Sequence, residues 1–192
     1  MSTTQPIKEK EELQLFLNYY KTEKPSIRNY TLIILGLNTA LRISDILKLR
    51  WIDIYDFQKE IFRSHLSVLE QKTGKSNTVA LNKKVKATLK DYKDTRVIKE
   101  DDYVFTKEND YSTHLSRTQA YRIIRYAAQE SLHMEHISCH SLRKTFGYHA
   151  WKQGTPPALL MDIYNHSSYK ITKRYLGICQ DEKDDIFLNI EI

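Results

Sequence analysis

The segment NHSSYKITKRYLGI, residues 165–178, sets His166, Lys170, Lys173, Arg174 and two tyrosines in one mostly polar stretch. A tyrosine there is either packing or a nucleophile. A phenol with a pKa of about 10 attacks poorly at neutral pH unless cations surround the electrophile and a base takes its proton. Tyr175 follows Lys173 and Arg174 and precedes Gly177, which puts it at a basic helix end with room to move. Tyr164 and Tyr169 are rivals by composition. His140 and Arg143, three apart, project from one helix face and suit phosphate oxygens, although an isolated pair of this kind is more often plain surface. Arg42 in TALRISDIL follows an apolar stretch and needs an anion. Asp45 would either form an i, i+3 pair with it, worth ~0–1 kcal/mol if exposed, or orient the guanidinium from behind. Lys72 in QKTGKS sits on a turn, able to reach a groove or an active site or simply to be solvated. Lys75 competes with it.

These side chains need a frame. The apolar spacing predicts a helix over 9–20, with Leu13, Phe16 and Leu17 on one side. NYTLIILGLNTAL, residues 29–41, is apolar almost all round and predicts a helix buried on most faces. Ser44 is a candidate N-cap for a short helix with Ile46, Leu47 and Leu49 inward, leaving Arg42 at a helix junction. HLSVLEQ (65–71) and NTVALN (77–82) are β-type runs around Gly74 and predict a hairpin or small antiparallel sheet. A basic helix follows over 83–94. Residues 117–130 predict an amphipathic helix, with Ala120, Ile123, Ile124 and Ala127 inward and Arg117, Tyr121 and Arg125 on another face. A helix over 138–154 begins at Ser138 and ends at Gly154. Another, over 155–165, has proline in its first turn, and a short helix leads into Tyr175. The expected fold is mostly α with a small antiparallel sheet, an α+β arrangement.

With 192 residues, 41% hydrophobic and 28% charged, the chain fits one domain with a real core. No apolar run reaches membrane-spanning length and nothing at the start resembles a signal peptide, so a cytoplasmic protein is expected. Two isolated cysteines and seven scattered histidines make neither a disulfide framework nor a metal motif. QKTGKS lacks the upstream glycine of a P-loop. No metal and no cofactor is implied. The net charge is +6, but residues 180–192 carry −4, so the remainder carries +10. A body that basic favours a polyanionic partner, most plausibly nucleic acid.

The ordered set Arg, Lys, His-x-x-Arg, His, Tyr resembles the tyrosine recombinases, or phage-type integrases. TALRISDILKL is similar to the motif of their first arginine, QKTGKS to their hairpin lysine, and HSLRKTFGYH to their HxxR helix. His166 and Tyr175 have the family's nine-residue spacing. The resemblance runs from about Lys8 to about Ile178. Lys144 stands where many members have a second histidine, and Tyr164-Asn165 where many have Leu-Gly. The resemblance implies the catalytic-domain fold over 1–178; an acidic and apolar tail is expected over 179–192 and, in departure from most members, no N-terminal core-binding domain. The chain would be an excised domain or a short recombinase similar to bacterial invertases of fimbrial promoters.

It further implies that Tyr175 attacks a DNA phosphodiester, leaving a 3′-phosphotyrosine and a free 5′-hydroxyl. Arg42 and Arg143 would clamp the non-bridging oxygens, backed by Asp45. His140 would assist the tyrosine proton, Lys72 would protonate the leaving oxygen, and His166 would hold a phosphate oxygen. Double-stranded DNA would also meet the basic faces of Lys83, Lys84 and Lys86, of Arg117, Arg122 and Arg125, and of Lys170, Lys173 and Arg174. The tail stripe Ile186, Phe187 and Ile190 would dock on its own core or on a neighbouring protomer. The second choice implies a homotetramer on two DNA sites, with a monomer allowed without DNA and accessory DNA-bending proteins compatible with it. The alternatives are DNA relaxation like that of a type IB topoisomerase, and a non-catalytic DNA-binding regulator with the same fold.

Overall fold

The computed structural model describes residues 4–72, 74–107 and 110–178, and in the tail residues 184 and 187–190. Helix α1 (Lys10–Asn18) buries Phe16 and Leu17 and continues through a π-type turn, Tyr19–Glu23. Helix α2 (Ile27–Thr39) starts at Ser26, whose hydroxyl accepts the Asn29 N–H at 3.4 Å. It is buried on most of its faces, as its unbroken apolar run predicts; Leu32, Ile33, Ile34 and Leu35 are all inside. It stops at Ala40, which takes a left-handed conformation with φ 55°.

Helix α3 (Ile43–Leu47) starts earlier than expected. Arg42, not Ser44, holds the N-cap position, and its carbonyl accepts the Asp45 N–H at 2.9 Å. The cap comes from extended backbone at Arg42 with no side-chain bond, so the serine hydroxyl does not decide the boundary. Helix α4 (Trp51–Ile54) follows.

The strands are antiparallel, as expected, but among the described residues they pair as three separate ribbons. These are β1 (Tyr55–Asp56) with β2 (Ile61–Phe62), β3 (His65–Leu69) with β4 (Ser76–Ala80), and β5 (Thr106–Lys107) with β6 (Asp110–His114). The β3–β4 ladder runs from His65↔Ala80 to Leu69↔Ser76. It ends before Glu70 because the Gly74 N–H turns back to the Glu70 carbonyl at 2.8 Å. The β5–β6 ribbon was not foreseen, since TKENDYSTH has no apolar alternation to signal it.

Between the ribbons lies α5 (Lys83–Lys93), capped by Asn82, which accepts the Val85 N–H at 2.9 Å. Helix α6 (Arg117–Leu132) buries Ala120, Ile124 and Ala127. Helices α7 (Cys139–Lys152), α8 (Pro157–Tyr164) and α9 (Tyr169–Leu176) complete the domain. One core joins α1, α2, α5, α6 and the start of α7 around Phe16, Leu32, Leu89, Ile124 and Leu142. A smaller cluster of Ala40, Leu160, Tyr164 and Leu176, flanked by Phe146 and Tyr175, packs α8 and α9 onto α7. Of the tail stripe, Phe187 and Ile190 are exposed, and Ile186 lies outside the described residues. No helix among the described residues is long and apolar enough to cross a membrane.

The seam between α7 and α8–α9 rests on one missing side chain. A Cβ at Gly147 would fall 2.0 Å from Tyr164 Oη and 2.6 Å from Leu176 Cδ2, both buried. Gly147→Ala is therefore expected to lose about 1–3 kcal/mol in urea unfolding through overpacking. An unchanged unfolding midpoint would show that α9 has room to shift.

Candidate active site

Arg143 anchors the site. Its side chain is 2% exposed, and it enters the interior from the first turns of α7. Nη1 donates to the Ala40 carbonyl and Nη2 to the Tyr164 carbonyl at 3.0 Å, while the guanidinium lies 4.7 Å from the Tyr164 ring centroid. Tyr164 returns the contact by donating its hydroxyl to the Arg143 carbonyl at 2.8 Å. The left-handed turn at Ala40 brings its carbonyl into this arrangement. Burial, and Arg42 nearby, draw the Arg143 pKa below its ordinary value.

Arg42 reaches the same place from the α2–α3 junction. Its Nη1 pairs with Glu70 Oε2 at 2.5 Å, and Glu70 is fully buried. Asp45 is buried too, but it accepts the Gln71 N–H at 3.3 Å instead. The observed carboxylate partner of Arg42 is thus Glu70, a residue the sequence did not single out. Its one signal was an acid closing an apolar strand two residues before Lys72. Burial raises the Asp45 pKa, opposed by the Gln71 N–H and the charge of Arg42.

His166 follows α8. Its Nδ1 lies 3.0 Å from Thr172 Oγ1, and its ring stacks on Tyr164 at 5.1 Å. Burial, then the charges of Arg143 and Arg42, push its pKa down to about 4, so the ring is neutral at pH 7. In the tautomer where the Thr172 hydroxyl donates to Nδ1, the ring hydrogen sits on Nε2 as a donor. Thr172 is a second partner that sequence reasoning missed, because only the packing of α9 brings it to His166.

Tyr175 lies where these groups meet. Its ring centroid is 5.0 Å from those of Tyr164 and His166 and 6.5 Å from that of His140. Burial raises its pKa, while Arg143 and Arg42 pull the other way. The Lys144 ammonium stands 5.6 Å from the Tyr175 ring centroid and donates to the Thr4 carbonyl. His140 is exposed; its pKa is lowered by desolvation, then by Arg143, Lys144 and Lys72. The rivals of Tyr175 are disposed otherwise. Tyr164 is fully buried, its hydroxyl is committed to Arg143, and its pKa is pushed far up. Tyr169 is 47% exposed at the start of α9 and does not line the cleft.

Arg42, Lys72, His140, Arg143, His166 and Tyr175 all line one open cleft of about 540 Å³, together with Lys144 and Arg174. A neighbouring cleft of about 890 Å³ shares Arg42, Lys72 and His140 and adds Arg117 and Tyr121. The remaining basic residues are dispersed. Arg122 and Lys170 are exposed and Lys173 is half-buried. Arg125 spends Nη1 on the Glu135 carbonyl. Lys83 and Lys86 open α5, and Lys84 lines a separate groove with Lys10. Among the described residues no group of three or more His, Cys, Asp or Glu is disposed to hold a metal ion. Two guanidinium groups, an ammonium and two imidazoles around one phenol form a receptor for a tetrahedral oxyanion.

Comparison with known proteins agrees with this chemistry. Residues 7–180 match the phage integrase family. The chain is 40% identical over 181 residues to the probable integrase/recombinase YoeC of Bacillus subtilis, covering 94% of this chain and 93% of that one. It is 28% identical over 152 residues to the type 1 fimbriae regulatory protein FimE of Escherichia coli, covering 77% and 73%. In fold it is similar to XerA recombinase, with a TM-score of 0.78 at 19% identity over 98% of this chain and 67% of the other. XerH recombinase bound to its difH substrate gives a TM-score of 0.71 at 18% identity, over 99% and 55%. The chain belongs to the phage integrase family, the tyrosine recombinases.

Proposed function

We propose that this protein cuts and rejoins double-stranded DNA at specific sites through a covalent 3′-phosphotyrosine. The observation that carries the proposal is the convergence of six side chains from distant segments on one cleft beside the Tyr175 phenol. Tyr175 Oη forms a bond to phosphorus, and the bond from phosphorus to the 5′-oxygen breaks. Arg42 and Arg143 stabilise the charge that gathers on the non-bridging oxygens, and His166 donates Nε2–H to one of them. His140 accepts the phenol proton, and Lys72 delivers a proton to the leaving 5′-oxygen. One phosphodiester is exchanged for another, so the step needs no nucleotide energy source. A 5′-hydroxyl from a second site then reverses the chemistry and joins new partners. The names of the relatives YoeC, XerA and XerH favour recombination over simple relaxation or regulation.

Joining two sites needs several protomers, and the tail supports a homotetramer on DNA. Phe187 and Leu188 are each 79% exposed and Ile190 59%, so these side chains stand away from the protein's own core. A groove of about 400 Å³ between α1, α2 and α7 has Leu13, Leu37 and Phe146 in its walls and Lys10 and Lys84 beside them. Its apolar and cationic character complements an apolar, acidic tail from a second protomer. The body is cytoplasmic in this account, where its DNA is, and it binds the duplex mainly through phosphate contacts from Arg117, Arg122, Lys170, Lys173 and Arg174.

Incubated with nicked suicide DNA carrying its site, the native protein is expected to form a denaturant-resistant DNA adduct, and Tyr175→Phe none. An adduct surviving in the variant would move the nucleophile to another tyrosine. Single-turnover cleavage should be flat between pH 7 and 8 and fall below the ordinary histidine range, because His140 must be neutral to accept a proton and its pKa is lowered. A rate still climbing tenfold per pH unit across 7 to 8 would exclude His140 as the base. Phe187→Asp with Leu188→Asp should retain adduct formation but lose the paired-site complex in native gels. Retention of that complex would remove the tail from assembly.

A further inference from the structure

The turn that carries Lys72 is held by one residue in two ways. Glu70 follows β3, and its buried carboxylate meets Arg42 through Oε2 at 2.5 Å, with Asn77 Nδ2 at 3.5 Å from Oε1. The main chain of Glu70 closes the turn. Its N–H donates to the Lys75 carbonyl at 2.9 Å, and its carbonyl accepts the Gly74 N–H at 2.8 Å. The next N–H, that of Gln71, reaches Asp45 in α3. The turn is thereby stitched to the helix that begins beside Arg42, and Lys72 lines the cleft from within it.

A glutamate in a solvated hairpin turn has no reason to leave water, and burying a carboxylate is unfavourable unless it is paired. Here it is paired with a guanidinium of the active site and with Asn77 of β4. Resting on the recombinase reading above, we propose that Glu70 is a positioning residue that sets Arg42 and Lys72 against the same phosphate. Its side chain fixes the guanidinium that meets a non-bridging oxygen. Through Oε1 and Asn77 of β4 the same carboxylate braces the turn that delivers a proton to the leaving oxygen. Glu70 itself touches no DNA.

The two tasks are separable by the leaving atom. In either substrate Tyr175 Oη bonds to phosphorus and the bond to the 5′-atom breaks, its electron pair departing with that atom. Oxygen needs the proton from Lys72; a bridging 5′-sulfur leaves as a thiolate without one. Arg42 is needed in both cases.

The experiment is single-turnover cleavage of suicide DNA with 5′-oxygen or bridging 5′-sulfur, using the native chain, Lys72→Ala, Glu70→Gln and Glu70→Asp. Lys72→Ala should recover fully on sulfur. Glu70→Gln should bind DNA as the native chain does and cleave the oxygen substrate about 10²-fold slower, recovering about tenfold on sulfur. Glu70→Asp keeps the charge but shortens the reach, and should lose about tenfold on oxygen. If Glu70→Gln fails to melt cooperatively, Glu70→Asp decides. Native rates in the Glu70 variants overturn the proposal. So does full recovery on sulfur, which would leave Arg42 outside its reach, or none, which would leave Lys72 outside. Failure of the native chain to form an adduct on either substrate would sink the recombinase reading instead.

Discussion

The site is organised around a buried cation. Taking a guanidinium out of water is costly unless its N–H groups find acceptors. Arg143 finds two backbone carbonyls, those of Ala40 and Tyr164, and the face of the Tyr164 ring. Each acceptor belongs to the end of a helix, and each end has a left-handed residue at or next to it, Ala40 at φ 55° and Asn165 at φ 53°. Ala40 held there costs about 1–2 kcal/mol, while asparagine at 165 tolerates it. The arginine thus ties the ends of α2 and α8 to the side of α7. The close approach at Gly147 lets the Tyr164 hydroxyl complete the loop. The charge remains available to a phosphate because carbonyls satisfy hydrogen bonds without neutralising it.

The same electrostatics set the resting state of the other groups. Burial holds the Tyr175 phenol above its ordinary pKa, and only the nearby arginines oppose this. Desolvation within the cleft and positive neighbours hold both histidines below theirs. Without DNA the Tyr175 phenol keeps its proton and the His166 imidazole is neutral; in the proposed reaction His140 accepts a proton and His166 donates a hydrogen bond. In the proposed reaction the arriving phosphate supplies the negative charge that Arg143, met by carbonyls and a ring, lacks. In the proposed reaction phenolate character develops only as the bond to phosphorus forms.

Much of the arrangement was legible in the sequence because the polar side chains that share the cleft sit at short spacings. His140 and Arg143 share one turn, and His166 and Tyr175 bracket one short helix. The buried helix over 27–39, the hairpin at Gly74 and the amphipathic α6 were legible from apolar period and turn residues. What stayed hidden depends on tertiary contact. Glu70 and Thr172 were not singled out, since Arg42 is far from Glu70 in sequence and Thr172 meets His166 only across the turn into α9. Arg125 was expected on a basic face toward DNA, and in the structure its guanidinium meets the Glu135 carbonyl. Ser44 had the right chemistry for a cap but lies inside α3, because the backbone geometry at Arg42 starts the helix first. The β5–β6 ribbon is made by pairing of polar residues, which leaves no hydrophobic signature.

Pentavalent vanadate takes the trigonal bipyramidal geometry of a phosphoryl-transfer transition state, so a structure of the protein with vanadate and two DNA ends tests the central claim directly. The account predicts Tyr175 Oη and a 5′-oxygen at the apices, with Arg42, Arg143 and His166 on the equatorial oxygens and Lys72 at the 5′-oxygen. Vanadate bound away from Tyr175, or with either arginine turned from it, would contradict the account.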